Sequence, residues 1–200
     1  MKLRRALSAS AATVALLPVV LTAAPAAQAA PAAELPKCSD LDTGEQHHTL
    51  VGRTFGIPGS ITLGTHWTTY TATLTNASAK ELKSFVLSAE LGSYVYNEGE
   101  RDLSPYGDLQ YWDTSQRAWK TLRQADGKAG GTLPGPKTLK PRESVHAQLR
   151  FRVGKDLPLD HDYDAFTGLT GSFTDRYRDT DCTADVDAVG GFYPRPPRDR

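Results

Sequence analysis

Apolar and polar residues alternate along much of the chain between residues 49 and 187. A period of two is typical of strands that bury one face and expose the other. The clearest example runs from Val145 to Val153, where every second residue is apolar. Within Trp67–Asn76, threonines alternate with apolar residues, as expected of a half-buried antiparallel strand. The side chains predicted to face the core are Tyr70, Ala72, Leu74, Phe85, Leu87, Leu91, Val145, Ala147, Leu149, Phe151 and Val153.

Weaker alternation predicts further strands between clusters of Gly, Pro, Asn and Asp. These strands are Val51–Ile57, Ile61–Leu63, Ser84–Leu91, Leu109–Trp112, Ala118–Leu122 and Tyr163–Phe173. Asp113–Arg117 is predicted to be the loop of a hairpin, and no segment carries a long helical stripe. About seven short strands with regular turns predict an all-β fold, a single antiparallel immunoglobulin-like β-sandwich with disordered termini.

The first residues have the organisation of a secretory signal peptide. Lys2, Arg4 and Arg5 form a basic head, residues 6–24 are mostly apolar or small, and Ala27-Gln28-Ala29 fits the cleavage pattern. A membrane anchor is the alternative, because the stretch is nearly long enough to span a bilayer. We expect residues 1–29 to be removed after Ala29, leaving a secreted chain without a membrane span.

Cys38 and Cys182 are the two cysteines of the chain, and both follow the predicted cleavage site. An even number in an exported chain favours one intramolecular disulfide. Free thiols or an intermolecular bond are the alternatives. Because Cys38 precedes the first predicted strand and Cys182 follows the last, the bond is expected to tie both ends of the domain together.

Composition divides the mature chain into three parts. Residues 30–48 are predicted to be a linker and an irregular N-terminal segment, residues 49–187 the sandwich, and residues 188–200 a disordered Pro/Arg tail. The chain has 23 basic and 23 acidic residues, and without the signal peptide 20 stand against 23, a net charge of −3. The mature chain therefore has no electrostatic basis for binding nucleic acid or anionic membranes.

Three segments carry a resemblance to a known group of proteins: Tyr70–Asn76, Leu109–Leu122 and Leu139–Val153. Together they resemble small exported immunoglobulin-like or fibronectin-III-like domains of high-GC actinobacteria, which are often attached to cell-surface proteins. Arg142 stands where that group usually has Gly in a turn. The resemblance covers roughly residues 57–175 and implies fold and location, but no activity.

Catalytic signatures are absent from the sequence. It contains no G-x-S-x-G, H-E-x-x-H, phosphate loop or dinucleotide fingerprint. Two groups of acids have spacings that suit a calcium site, namely Asp160, Asp162 and Asp164, and then Asp179, Asp181, Asp185 and Asp187, which Asp40 and Asp42 could join. Solvated loop acids are the simpler interpretation. We therefore assign no catalytic residue, metal ligand or cofactor.

Aromatic residues are concentrated in the middle of the chain. Trp112, Trp119 and Tyr111 are the candidate ligand-stacking residues, because exposed rings on a sandwich face stack on sugars. Packing within the hairpin and between the sheets is the alternative. Asn76-Ala77-Ser78 matches the N-glycosylation sequon, to which we give little weight.

Three functions follow from these observations. The first is an exported, non-enzymatic domain that binds or scaffolds an unknown partner at the cell envelope or outside the cell. The second is a carbohydrate-binding module that uses exposed Trp and Tyr rings on a polysaccharide. The third is an enzyme with an unrecognised site. Fold alone does not choose between them.

Overall fold

The computed structural model describes residues 34–41, 49–64, 66–94, 101–160 and 162–197. The chain divides after residue 33 into two units, and the described residues all belong to the second. The predicted signal peptide and Asp42 lie outside the described residues.

Ten strands and two short helical turns make up the described part of the chain. The helical turns are α1 (Cys38–Leu41) and a 3-10 turn at Ser104–Tyr106. The strands are β1 (Leu50–Phe55), β2 (Ser60–Thr62), β3 (Thr68–Asn76), β4 (Lys83–Ser93), β5 (Gly107–Asp113), β6 (Ala118–Leu122), β7 (Gly130–Leu133), β8 (Ser144–Val153), β9 (Ala165–Tyr177) and β10 (Thr180–Arg195). The sequence predicts about seven strands, so the fold is richer in strand than expected.

The strands form two five-stranded sheets packed as a β-sandwich, which confirms the predicted fold class. The first sheet has the order β1-β3-β8-β5-β6 and the second has the order β2-β10-β9-β4-β7. Neighbouring strands are antiparallel except for β2 and β10, which are parallel. The predicted hairpin is formed by β5 and β6.

The side chains predicted to face the core do so, and only Val145, near the start of β8, is partly exposed. Leu149 lies at the centre of the same strand and is fully buried.

The core also contains a short hydrogen-bond network. The Tyr70 hydroxyl lies 2.8 Å from Thr167 Oγ1, and Thr167 donates to the Glu90 carbonyl oxygen at 3.0 Å. This network links β3 of the first sheet to β9 and β4 of the second. Burial raises the pKa of Tyr70 far above its ordinary value.

The predicted end of the sandwich at residue 187 is wrong, because β10 continues to Arg195. The prediction of a disordered tail therefore fails for residues 188–195. Phe192 is buried in the core, and Tyr193–Arg195 pair with β2. The last three residues of the chain lie outside the described part.

Small residues explain why β10 is hard to see in the sequence. Ala184, Ala188 and Gly190 occupy inward positions where an ordinary strand has large apolar side chains. A Cβ atom at Gly52 of β1 would lie 2.5 Å from the Asp187 carbonyl oxygen. The close approach of β1 and β10 therefore requires small residues on the facing positions, and small residues give a weak hydrophobic pattern.

The predicted disulfide is present between Cys38 and Cys182, whose Cα atoms lie 5.0 Å apart. Both cysteines are buried, and the Thr183 N–H donates to the Pro36 carbonyl oxygen at 2.8 Å. The bond therefore fixes α1 and the residues before it to β10, so that the N-terminal segment becomes part of the sandwich.

Asn76 is a structural residue at the end of β3. Its Nδ2 donates to the carbonyl oxygens of Lys80 at 2.7 Å and Leu139 at 2.9 Å, and its Oδ1 accepts from the Ser78 N–H and hydroxyl. The side chain is fully buried. The sequon at this position is therefore closed to glycosylation in the folded protein. Nearby, Arg142 has a φ of 63°, in the left-handed region that favours the Gly expected there.

Candidate ligand-binding face

The outer face of the first sheet carries a group of polar and aromatic side chains. Because the inward residues of each strand are fixed by the core, the residues between them point outward. This face, which we call the outer face, has Thr69, Thr71, Thr73 and Thr75 from β3, His146, Gln148, Arg150 and Arg152 from β8, Asp108, Gln110 and Trp112 from β5, and Trp119 and Thr121 from β6. It combines hydroxyl, amide, guanidinium and indole groups.

Arginine and tryptophan side chains form a continuous stack on the outer face. Arg150 Cζ lies 4.4 Å from the ring centroid of Trp67 and 4.3 Å from that of Trp119. Arg152 Cζ lies 4.6 Å from Trp67, and Trp119 meets Trp112 at 5.4 Å between centroids. We call these five residues the tryptophan–arginine stack. Cation–π contacts of this length are favourable, more so where the groups are partly desolvated.

The strand register builds the stack. Arg150 and Arg152 are two residues apart on β8 and so share a face, while Trp112 and Trp119 are directly paired across the β5–β6 hairpin. Trp67 immediately precedes β3, the neighbour of β8 on its other side. The stack therefore crosses the width of four adjacent strands.

The two arginines of the stack have different polar partners. Arg152 donates to Asp108 Oδ2 at 2.8 Å, and Arg123 pairs with Oδ1 of the same carboxylate at 2.7 Å. Arg150 donates through Nε to Gln110 Oε1 at 2.8 Å, and no carboxylate of the described residues pairs with it. Desolvation, and then the like charge of Arg152, lower the pKa of Arg150, but a guanidinium remains protonated in proteins.

A cleft of about 630 Å³ opens beside the β5–β6 hairpin. It is lined by Tyr111 and Trp112 of β5, His146 and Gln148 of β8, and the hairpin loop at residues 113–115, among others. Its volume falls within the range of small-molecule sites, about 300–1,000 Å³. The cleft is continuous with the tryptophan–arginine stack through Trp112.

The structure brings Trp112 and Trp119 together on the outer face. Tyr111, the third predicted stacking residue, lies on the opposite face of β5 and packs against the core. Each of the three is partly buried. The two indole planes are inclined at 65°, so they do not form a flat platform. Arg150 covers a face of Trp119. The roles of Trp67 and Arg150 were not predicted, although the alternation along β8 already places Arg150 on a solvent face.

The acids considered for calcium binding are spread over the surface. Asp181 pairs with Arg176 at 3.3 Å, Asp160 lies 3.7 Å from Arg101, and Asp187 accepts from Thr170 at 2.7 Å. Within the described ranges, no three His, Cys, Asp or Glu side chains are arranged to hold a metal ion.

A second, smaller pocket of about 210 Å³ lies against the other sheet and contains Glu90, Asp102 and Lys128. Desolvation, followed by the charges of Asp187 and Asp102, raises the pKa of Glu90. The pKa of Asp102 is lowered: desolvation, the largest effect on it, would raise it, but hydrogen bonds from Ser104 and the charge of Lys128 outweigh it. The volume of this second pocket is below that of typical ligand sites.

No family model matches the chain, and no curated protein matches it. Among solved structures, it is similar to AvmM, which catalyses macrocyclization in alchivemycin A biosynthesis, with a TM-score of 0.51, 16% identity, and coverage of 76% of this chain and 92% of that chain. The GH20 exo-β-N-acetylglucosaminidase of Vibrio harveyi matches with a TM-score of 0.35 and 12% identity, over 76% of this chain and 19% of that chain. The human F-spondin reeler domain matches with a TM-score of 0.37 and 14% identity, over 74% and 88%. The similarity to AvmM concerns the β-sandwich fold alone. Among the described residues, no helix is long and apolar enough to span a membrane.

Proposed function

We propose that the protein is an exported, non-enzymatic binding domain that recognises its ligand at the cell envelope or outside the cell, through the outer face. The observation that carries this proposal is the position of the tryptophan–arginine stack beside the 630 Å³ cleft. Large aromatic groups and arginines are the residues that dominate binding energies at recognition surfaces.

Export is supported by the N-terminal sequence and by the disulfide. Residues 1–29 have the order of a signal peptide, and Cys38 is bonded to Cys182. Disulfides persist in oxidising compartments and are rare in the cytosol. Secretion accounts for both features.

The polar groups of the cleft support a binding function without catalysis, because their hydrogen bonds stabilise the hairpin turn and the sheet. The Ser115 hydroxyl donates to Asp113 at 2.6 Å, and His146 Nδ1 lies 2.9 Å from Thr73 Oγ1. The acceptor of the Ser115 hydroxyl is the carboxylate of Asp113, which also accepts from the Ser115 and Gln116 N–H groups. These hydrogen bonds lower the pKa of Asp113, so it is a weak base for activating a nucleophile. The similarity to AvmM does not alter this proposal, because one fold supports many functions.

A polysaccharide is the ligand class that fits the cleft. Tyr111 and Trp112 provide aromatic surface, while Gln148, His146 and Thr71 provide hydrogen-bonding groups. Sugars present both apolar ring faces and hydroxyl groups, so this combination matches their chemistry.

Retention on insoluble polysaccharides and on envelope preparations tests the proposal. The exported full chain is compared with Trp112→Ala, and with Tyr193→Ala as a control that removes an exposed ring from the other sheet. We expect Trp112→Ala to weaken binding about 30-fold, since truncating an aromatic hot spot costs about 2 kcal/mol. Thermal melting of both variants verifies that they fold. Absence of retention on every material, or equal loss in both variants, contradicts the proposal.

A further inference from the structure

Arg150 is an arginine with a fixed orientation and an unneutralised charge. Arg150 of β8 lies between two indole rings: Trp67, next to β3 on one side of β8, and Trp119 of β6, two strands away on the other side of β8. Arg150 Nε donates to Gln110 Oε1 at 2.8 Å. Both indole rings lie against the guanidinium and its Nε is bonded to Gln110, which leaves the two Nη atoms as the donors for a ligand.

A comparison with Arg152 on the same face shows that the lack of a carboxylate partner distinguishes Arg150. Arg152 is also stacked on Trp67, yet it has a carboxylate partner in Asp108, which it shares with Arg123. In the described part of the chain Arg150 has no such carboxylate. The planar edge of a guanidinium matches the two oxygens of a carboxylate, and such pairs are stronger than neutral hydrogen bonds.

Polar groups flank Arg150 in one row across the sheet. Strand pairing places Thr69 on one side of it and Gln110 on the other, followed by Thr121. Gln110 Nε2 donates to Thr121 Oγ1 at 3.1 Å, which leaves the Thr121 hydroxyl proton available to a ligand. The row offers hydroxyl groups beside a cation, and indole rings lie along its edges.

The acidic residues on the outer side of the second sheet do not cancel this charge. Glu90, Asp185 and Asp187 lie on the outer side of the second sheet, beyond the core. Packed sheets lie about 10 Å apart, and charges farther apart than about 8 Å are largely screened at physiological ionic strength. An anion at Arg150 is therefore attracted by that residue without strong repulsion from the opposite face.

We propose that Arg150 is the anion-recognising residue of the outer face and that the ligand is a polysaccharide with carboxylate groups on its sugars. This inference rests on the proposed function and adds the ligand's charge to it. The guanidinium edge receives the carboxylate, and the Thr69–Thr121 row bonds the neighbouring hydroxyls.

Calorimetric titration of the exported full chain with a galacturonic acid hexamer tests the inference. The methyl ester of the same hexamer controls for size and hydroxyl pattern without the charge, and a glycerol-phosphate polymer offers a different anion. Arg150→Gln removes the charge and Arg150→Lys keeps it without the planar fork. Arg178→Gln is the matched control, because Arg178 is an exposed arginine that also lies over an aromatic ring, Tyr177, but at the end of the second sheet.

We expect the hexamer to bind, and its methyl ester and Arg150→Gln each to lose about tenfold or more in affinity. Arg150→Lys should fall between Arg150→Gln and the wild type, and Arg178→Gln should match the wild type. Thermal melting without ligand verifies that each variant is folded. Equal binding of acid and ester, tighter binding of the phosphate polymer, or equal losses at Arg178 and Arg150 would overturn the inference. If neutral polysaccharides bind and Arg150→Gln has no effect, the inference fails while the proposed function stands; if no polysaccharide or envelope material binds, both fail.

Discussion

Breaking the bond between Cys38 and Cys182 is expected to lower the free energy of unfolding by about 5 kcal/mol while the sandwich stays folded. The cysteines are 144 residues apart in sequence. In the chain-entropy relation, a loop of that length removes about 17 cal/mol/K from the denatured chain, or about 5 kcal/mol at 25 °C. Compact denatured states reduce this value, so it is an upper bound.

The folded state should survive because the core does not depend on the N-terminal segment. Besides the disulfide, that segment pairs with β10 through the Lys37–Thr183 bridge and the hydrogen bond from the Thr183 N–H to the Pro36 carbonyl oxygen. The core residues of the two sheets bury one another, as the contact between the rings of Phe151 in β8 and Phe192 in β10, 4.8 Å between centroids, illustrates.

Equilibrium urea unfolding measures the effect in three samples: the oxidised protein, the reduced protein, and the double variant Cys38→Ala/Cys182→Ala. Reduction keeps both sulfur atoms, so it controls for the small voids that alanine leaves at two buried positions. We expect a lower midpoint and a steeper dependence on urea without the bond, since an uncrosslinked denatured chain exposes more surface. An unchanged midpoint, or loss of the β-sheet circular dichroism signal on reduction alone, would refute this reasoning.

Three further substitutions test the packing and electrostatics. Leu149→Ala should cost about 2–5 kcal/mol in urea unfolding, because it opens a cavity in the core, and a loss below about 0.5 kcal/mol would contradict the assigned register. Asn76→Ala should cost about 3 kcal/mol because it leaves buried backbone groups unbonded, whereas Thr75→Ala on the exposed face should cost far less. Glu90→Gln should raise the melting temperature at pH 7 and have no effect below about pH 4. Because folding raises the pKa of Glu90, the folded protein loses stability as the pH rises through that pKa and Glu90 becomes charged. An equal gain in melting temperature at both pH values would contradict the reasoning.

Strands with large apolar residues could be predicted from the sequence, whereas strands with small ones could not. In β8, five apolar residues at alternate positions predicted both the strand and its buried face, and only Val145 is less buried than expected. β10 alternates just as regularly, but its inward Ala and Gly residues gave too little hydrophobic contrast. From the sequence alone, its outward aspartates are therefore indistinguishable from loop acids.

The candidate site shows a similar limit. Pairing across a hairpin made the contact between Trp112 and Trp119 predictable, and the two rings do meet. The position of Trp67 beside Arg150 depends on which strands are neighbours, since β3 and β8 are far apart in sequence. A periodic pattern gives the face of a strand but not its neighbours, so the stack required the structure.

All three tryptophans of the chain belong to the tryptophan–arginine stack, which makes one measurement decisive. The three indole Nε1–H signals in a ¹⁵N–¹H correlation spectrum report on the outer face alone, and backbone amides of β9 and β4 report on the opposite sheet. During titration with a polysaccharide that is retained by the protein, our account predicts saturable shifts of the Trp112 and Trp119 indole signals and of the Gln110 and Arg150 amides, with the opposite sheet unchanged. Saturable shifts confined to β9 and β4, with the indole signals unmoved, would contradict it.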